Sequence, residues 1–410
     1  MGGCLTLALI RWFGLQINVD PVHVERVGLN LSLLYPIYPV QNQNSWLGDV
    51  RECPPSHLVG HVLPKLIQRQ NCVMAGALPP DLQLSPDLDL PQNRGLRQDL
   101  VFSQDLRLRH RLALLASHLV VALVALVAIG GATRVMEAGL ACPDWPLCYG
   151  RFLPGQQMNV QVFLEWFHRL DAFVVGVALL VFVGVGVALR RRLPTWLPWM
   201  AGLALALVAF QGALGALTVT HLLASPLVTA HLATALVLVS LVSGVYQRLV
   251  MVPEVMGPQL LNQSPAAPRW WQALAALALA LVFGQCLLGG LMASQWAADQ
   301  CLVSGEACQW LLGHRQLALG AAGGVALMAA TAPLLPRGLG HLQGLAFGAI
   351  GLVGMQIGLG IWTLRLQLAV PAVTVAHQLV AALLVAVLSA VLARALAPLQ
   401  PHPSQELAHG

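Results

Sequence analysis

The sequence predicts an all-α membrane protein of eight transmembrane helices, built as two pseudo-symmetric four-helix bundles that repeat in parallel. Three observations carry this reading. First, eight apolar segments follow one another, at 112–131, 162–189, 196–218, 226–249, 271–293, 312–335, 341–364 and 371–396. Each has roughly the 20 apolar residues that a helix needs to cross the hydrocarbon core, and backbone groups in lipid must bond within their own segment. Second, four histidines lie in these segments at repeating intervals. His168 and His231 are 63 apart, His314 and His377 are 63 apart, and the second pair is the first moved along by 146. Third, Gln211, Leu214, Gly215 and Thr218 recur as Gln356, Leu359, Gly360 and Thr363, a Q-x-x-L-G-x-x-T pattern in the third and seventh segments. Four helices per repeat is an even number, so both halves keep one orientation, unlike an inverted transporter repeat.

Composition agrees. Hydrophobic residues make up 57% of the chain and charged residues 10%, too few charges to cover a soluble protein of 410 residues. The net charge of +5 comes almost wholly from arginine, since Lys65 is the only lysine, and no basic block suits nucleic acid. The arginines read instead as topology markers.

Taken in order, residues 1–105 form a leader rich in Pro, Gln, Asn, Asp and Leu. It has no sustained periodicity and is expected to be poorly ordered. A start near Met74 or beyond would remove nothing interpretable. Residues 106–250 are the first bundle, 251–268 a cytoplasmic linker, 269–397 the second bundle and 398–410 a tail. Arg107, Arg109 and Arg111 precede the first helix, and Arg190, Arg191 and Arg192 follow the second. Arg248 and Arg269 flank the linker, Arg337 lies between helices six and seven, and Arg394 ends the eighth. All fall on one side if both termini are cytoplasmic. The opposite loops hold Arg134, Arg151 and Arg365, together with the pairs Cys142–Cys148 and Cys301–Cys308, which suit disulfides on an oxidising face. Each membrane histidine then lies a few residues inside the outer end of an even-numbered helix.

Ionisable groups inside a membrane are costly, which makes each a functional candidate. Imidazole is a common axial ligand of haem iron. Two matched pairs therefore point to two haem sites, one per bundle. His118, His221 and His341 have no counterpart in the other half and read as packing or loop residues.

The halves also differ. With His168 set against His314, Glu165 meets Leu311 and Asp171 meets Leu317. Glu165 is three residues before His168, on the same helical face, so only the first bundle has a carboxyl group beside its histidine. It either handles protons at the haem edge or pairs with Arg169 at the outer rim. Asp171 either orients His168 or makes a helix contact. Arg169 and Arg315 directly follow His168 and His314; each either contacts haem propionates or snorkels to headgroups. The first outer loop is longer, and its cysteines Cys142 and Cys148 either staple a lid or cycle as a redox pair. Cys301–Cys308 reads as structural.

Together G-G-A-T-R at 130–134, G-L-A-C-P-D-W-P-L-C at 139–148, E-W-F-H-R-L-D at 165–171 and the three later histidines resemble haem A synthase over about residues 110–397. The resemblance implies an enzyme that oxidises the position-8 methyl group of haem O to a formyl group through a hydroxymethyl stage, giving haem A for cytochrome oxidase. It implies haem O as substrate in the first bundle on His168 and His231, a haem b cofactor in the second on His314 and His377, and Glu165 as the catalytic residue. A bacterial inner membrane, its lipid, an unidentified electron carrier and contact with haem O synthase follow as expectations. The main rival is a non-catalytic di-haem b cytochrome. A prenyltransferase is disfavoured because no helix end carries paired acidic residues for Mg²⁺ and diphosphate.

Overall fold

The computed structural model describes residues 91–251, 266–293, 309–336 and 338–396, with side chains from 104 onward in the first stretch. The chain divides into two units, residues 1–84 and 85–410. The first unit lies outside the described residues, so the expected disorder of the leader is not addressed there. The second carries eight α-helices: α1 (Pro91–Val135), α2 (Val160–Ala188), α3 (Leu197–Thr220), α4 (Ser225–Val250), α5 (Arg269–Met292), α6 (Gln309–Thr331), α7 (Gly340–Arg365) and α8 (Pro371–Ala395). All eight are long and apolar enough to cross a membrane.

One boundary differs from the sequence reading. Residues 91–105, assigned to the leader, form the first turns of α1. Proline is tolerated at a first helical position because its missing N–H has no intrahelical partner to lose there. Beyond Gly95 nothing in this polar stretch breaks the helix, so it extends well before the apolar run begins.

The helices pack as two rings. In the first, α1 packs on α2, α2 on α3, α3 on α4, and α4 back on α1. In the second, α5, α6, α7 and α8 contact one another in the same cyclic order. Between them, α8 lies against α1 and α4, and α4 against α5. α1 and α8 are accordingly the most buried of the eight. At this seam Ser243 of α4 donates to the Ala386 carbonyl of α8 at 2.7 Å, and Arg394 donates to Gln247 at 2.7 Å. Large apolar side chains such as Phe173, Leu180, Trp199 and Phe210 point outward, as a lipid-facing surface requires.

Local devices set the helix ends. Asn159 caps α2 by accepting from the Val162 amide at 2.9 Å. Pro198, Pro226 and Pro371 occupy the first turns of α3, α4 and α8. Arg109 closes the far end of α4 by donating to the carbonyls of Arg248, Leu249 and Met251. The links α3–α4 and α7–α8 turn in the same way. Each has two consecutive left-handed residues, Leu222-Leu223 and Gln367-Leu368, and each closes on a threonine carbonyl, Leu223 N–H to Thr218 and Leu368 N–H to Thr363. Non-glycine residues in this region cost about 1–3 kcal/mol each, so packing against the neighbouring helices must hold the turns in place. They fix the register between the glycine-bearing ends of α3 and α7 and the histidine-bearing starts of α4 and α8.

Candidate functional site

His168, His231, His314 and His377 each lie in the second or third turn of an even-numbered helix. At 1.5 Å rise per residue this is about 8–12 Å along the axis from the helix start. All four are half-buried, and each ring rests against a glycine on the helix before it. A Cβ at Gly130 would stand 2.9 Å from His168 Cε1, and one at Gly215 3.4 Å from His231 Cε1. In the second ring the corresponding distances are 2.9 Å for Gly289 and His314, and 3.1 Å for Gly360 and His377. Absence of a side chain at these glycines lets the imidazole lie directly on the neighbouring backbone.

The second glycine of each Gly-Gly pair faces the other half. A Cβ on Gly131 would fall 1.6 Å from Gln378 Oε1, and one on Gly290 would fall 2.5 Å from Leu232 Cδ2. Gln378 and Leu232 directly follow His377 and His231. Each Gly-Gly doublet thus contacts the histidine of its own half and the residue beside a histidine of the other. Arg134, one turn further along α1, reaches the Gly290 carbonyl at 3.4 Å.

Glu165 is 4% exposed and points at the outer loop. Its Oε2 accepts the Cys142 amide at 2.7 Å, and its Oε1 pairs with Arg169 at 2.5 Å. The ion-pair alternative raised by the sequence is therefore the arrangement seen. Arg169 also donates to the carbonyls of Asp144, Leu147 and Cys142. Arg315 is exposed on α6. Asp171 is half-buried on α2.

Cys142 and Cys148 form a disulfide. With Val162 they make a buried cluster that also packs against Ala141, Met158 and Trp166, seating the loop on the start of α2. Trp166 Nε1 donates to the Phe152 carbonyl at 2.7 Å. Asp144 accepts from the Tyr149 and Gly150 amides at 2.6 and 2.8 Å. Chiefly the Gly150 hydrogen bond, with help from Tyr149 and the Arg169 charge, holds the Asp144 carboxyl below its ordinary range. Cys301 and Cys308 lie outside the described residues.

The remaining histidines behave as expected. His118 is exposed, with Nδ1 2.7 Å from the Leu114 carbonyl; His221 ends α3 with Nδ1 3.1 Å from Thr220 Oγ1; His341 is exposed on α7. Sequence reasoning missed the glycine cradles, Gln285, and the link between three of the cradles and a preceding glutamine. Gln211, Gln285 and Gln356 each stand four residues before a cradle glycine, a signal visible only once the glycines are known to matter.

Among the described residues no three or more His, Cys, Asp or Glu side chains gather as a metal cluster. What the structure offers is two pairs of imidazoles, each pair from two helices of one ring. Such a pair can ligate an iron porphyrin from both faces, and the bare glycine surfaces leave the rings close to the backbone in doing so. The chain is thus a multi-pass helical membrane protein with paired, glycine-backed histidine sites.

The family model described as cytochrome oxidase assembly protein matches residues 111–389. The chain belongs to that family. It is 30% identical to the haem A synthase of Sphingopyxis alaskensis over 329 residues, 65% of this chain and 87% of the relative. It is 29% identical to that of Caulobacter vibrioides over 326 residues, 65% of this chain and 90% of the relative. With the haem A synthase of Shewanella oneidensis it shares 33% identity over 192 residues, 43% of this chain and 54% of the relative's length.

Proposed function

We propose that this protein is a haem A synthase. It oxidises the position-8 methyl group of haem O to a formyl group by way of a hydroxymethyl stage, and so supplies haem A to cytochrome oxidase. The observation that carries this is the asymmetry of two otherwise matched sites: histidines in both halves but, among the described residues, a buried carboxylate, Glu165, in only one. The names of the relatives support the substrate.

In this reading His168 and His231 hold haem O, and His314 and His377 hold a haem b. When bound, the haem b supplies one-electron redox chemistry to the site. Going from methyl to formyl adds one oxygen atom; counted with water as its source, the carbon gives up four electrons and four protons are released, and an electron carrier of the membrane accepts those electrons. Glu165 stands one helical turn from His168, where it takes up protons released at the substrate and passes them toward the outer loop. Arg169 and the Cys142 amide hold that carboxylate in place. The disulfide keeps the loop seated over the first half, which limits water at the reacting carbon. Gly130, Gly215, Gly289 and Gly360 let the imidazoles approach the neighbouring helices. The protein is read as residing in a bacterial inner membrane with both termini cytoplasmic, since most arginines then lie inside. Haem O synthase is the natural donor of substrate.

The test is pigment extraction after expression in a host that makes haem O. Wild type is expected to yield haem A. Glu165→Gln is expected to retain both haems while haem A is lost or stalls at the hydroxymethyl stage. A Glu165→Gln protein that forms haem A at the wild-type rate would overturn the assigned role. A wild type that binds haem but never yields haem A would favour the di-haem cytochrome.

A further inference from the structure

At the end of the first ring remote from the histidines, the arginines divide by task. α1 carries Arg107, Arg109 and Arg111 at alternate positions. Arg109 is used by the fold: it closes the end of α4 on the carbonyls of Arg248, Leu249 and Met251. Arg107 and Arg111, four apart, share another face of α1. Both are exposed, and among the described residues neither has a hydrogen bond or an ion pair. Like charges at this spacing repel each other, so the pair destabilises the helix unless an anion joins it.

A third arginine is brought to the same face. Arg192, in the α2–α3 link, donates to Asp105 at 2.7 Å and to Gln104 at 3.3 Å. The link is fixed where it does so: the Arg192 amide donates to the Leu189 carbonyl at 2.9 Å, and Leu193 is buried. Between α1 and this link lies a cleft of about 340 Å³, lined by Gln104, Arg107, Leu108, Arg111, Leu189 and Arg192. Its size falls in the range of small-molecule sites, about 300–1,000 Å³. The cleft also sits at the boundary of the apolar spans. The buried run of α1 starts at Leu112, next to Arg111, and α2 ends at Ala188, next to Leu189. Trp199, in the first turn of α3, is exposed at this same end, as tryptophan is at a membrane–water interface.

The second ring is built differently here. At the offset of 159 that carries Gly130 to Gly289, Arg107, Leu108 and Arg111 become Ala266, Ala267 and Trp270. At the offset of 146 that carries His168 to His314, Arg192 becomes Gly338. A general bias of positive charge toward one side of the membrane requires neither convergence on one cleft nor restriction to one half. From this we infer a lipid site: the cleft binds the phosphodiester headgroup of an anionic phospholipid. Guanidinium grips phosphate oxygens as a fork, and basic pockets between membrane helices bind such headgroups. A free phosphate shares the anionic chemistry, but the two leucines and the level of Trp199 suit an anion with acyl chains beside it. The inference uses only the bilayer-spanning fold and none of the haem assignments.

The experiment titrates the full chain, purified in detergent, with phosphatidylglycerol and, separately, with phosphatidylcholine of the same acyl chains. Adducts are followed by native mass spectrometry. Wild type is expected to hold one phosphatidylglycerol at least about tenfold more tightly than phosphatidylcholine. Arg107→Gln and Arg111→Gln are each expected to weaken that adduct about fivefold, and the double variant about 25-fold. Arg190→Gln with Arg191→Gln removes the same charge from the same link outside the cleft, and is expected to stay within about threefold of wild type. Equal losses in the two double variants would show diffuse attraction and overturn the site, as would equal affinity for the two lipids. Glycerol phosphate and inorganic phosphate at millimolar concentration are expected to leave the adduct in place; displacement by either as complete as by added phosphatidylglycerol would overturn the lipid assignment. Far-ultraviolet circular dichroism is expected to be the same in every variant, because all four side chains are exposed. Loss of helicity in Arg107→Gln or Arg111→Gln would overturn the reading of these side chains as free.

Discussion

Replacing Arg169 by methionine removes the α2 side chain that makes the most hydrogen bonds to the loop between α1 and α2. Arg169 and Glu165 are 14% and 6% exposed as side chains, so solvent screens their contact weakly. The guanidinium also serves the carbonyls of Cys142, Asp144 and Leu147. Methionine preserves the apolar stem but leaves Glu165 buried with only the Cys142 amide as partner. Breaking a buried pair from one side costs about 3–5 kcal/mol, and each hydrogen bond to a charged group contributes about 1.5–3 kcal/mol. The loop recovers part of this by exposing its carbonyls to water, and the disulfide restricts how far it opens. A local destabilisation of about 3 kcal/mol remains, and at 1.4 kcal/mol per tenfold it makes loop opening about 100-fold more frequent. Hydrogen–deuterium exchange of the peptide containing Cys142, measured on the protein in lipid nanodiscs, reads this directly. Exchange there is expected to rise about 100-fold in Arg169→Met, with helices α5–α8 unchanged. Arg169→Lys is expected to fall between, because an ammonium lacks the planar fork that spans several acceptors. Exchange in Arg169→Met within threefold of wild type would show that the network does not hold the loop.

Two further outcomes follow from geometry. Gly130→Ala and Gly289→Ala place a methyl group 2.9 Å from a histidine carbon, closer than real contacts allow. The low-spin haem spectrum of the affected half is expected to weaken or shift, while Gly176→Ala, with nothing within 4 Å, is expected to leave both spectra intact. Asp144 has its folded pKa below the ordinary 3.8, so its stabilisation of the 144–150 turn is complete above that value and lost as pH falls through the depressed one. Exchange of the Tyr149 and Gly150 amides, corrected for intrinsic rates, is therefore expected to stay protected down to pH 4 and to rise only below it. In Asp144→Asn that acid-dependent step is expected to disappear.

Much of the helical frame was legible in the sequence because lipid leaves the backbone few choices. Each apolar run became a helix, and the histidine intervals marked equivalent places in successive helices. The start of α1 was missed because residues 91–105 are largely polar in sequence, and hydropathy marks a helix only where its residues are apolar. The partner of Glu165 was only half legible. Spacing put Arg169 one turn away at i+4, but nothing in one dimension told whether its guanidinium turned to the carboxylate, a propionate or the headgroups. Only the folded disulfide loop brings its carbonyls, with Glu165, around that guanidinium. The glycine cradles were hidden for a different reason. Glycine is frequent in membrane helices, and nothing in the sequence marks Gly130, Gly215, Gly289 and Gly360 as the ones that stand against an imidazole.

The Gly-Gly doublets give the duplicated frame a second consequence. Because Gly130 meets His168 while Gly131 meets Gln378, a small rotation of α1 moves two contacts at once, one in each half. α5 is built likewise, through Gly289 on His314 and Gly290 on Leu232. Packed contacts of this kind respond by shifting between arrangements rather than by deforming smoothly. The two halves are thus mechanically joined where their histidines lie, and the joint is polar on one side, Gln378, and apolar on the other, Leu232. That difference falls beside His377 and His231 respectively, so a movement of either helix is felt next to a histidine of the other ring.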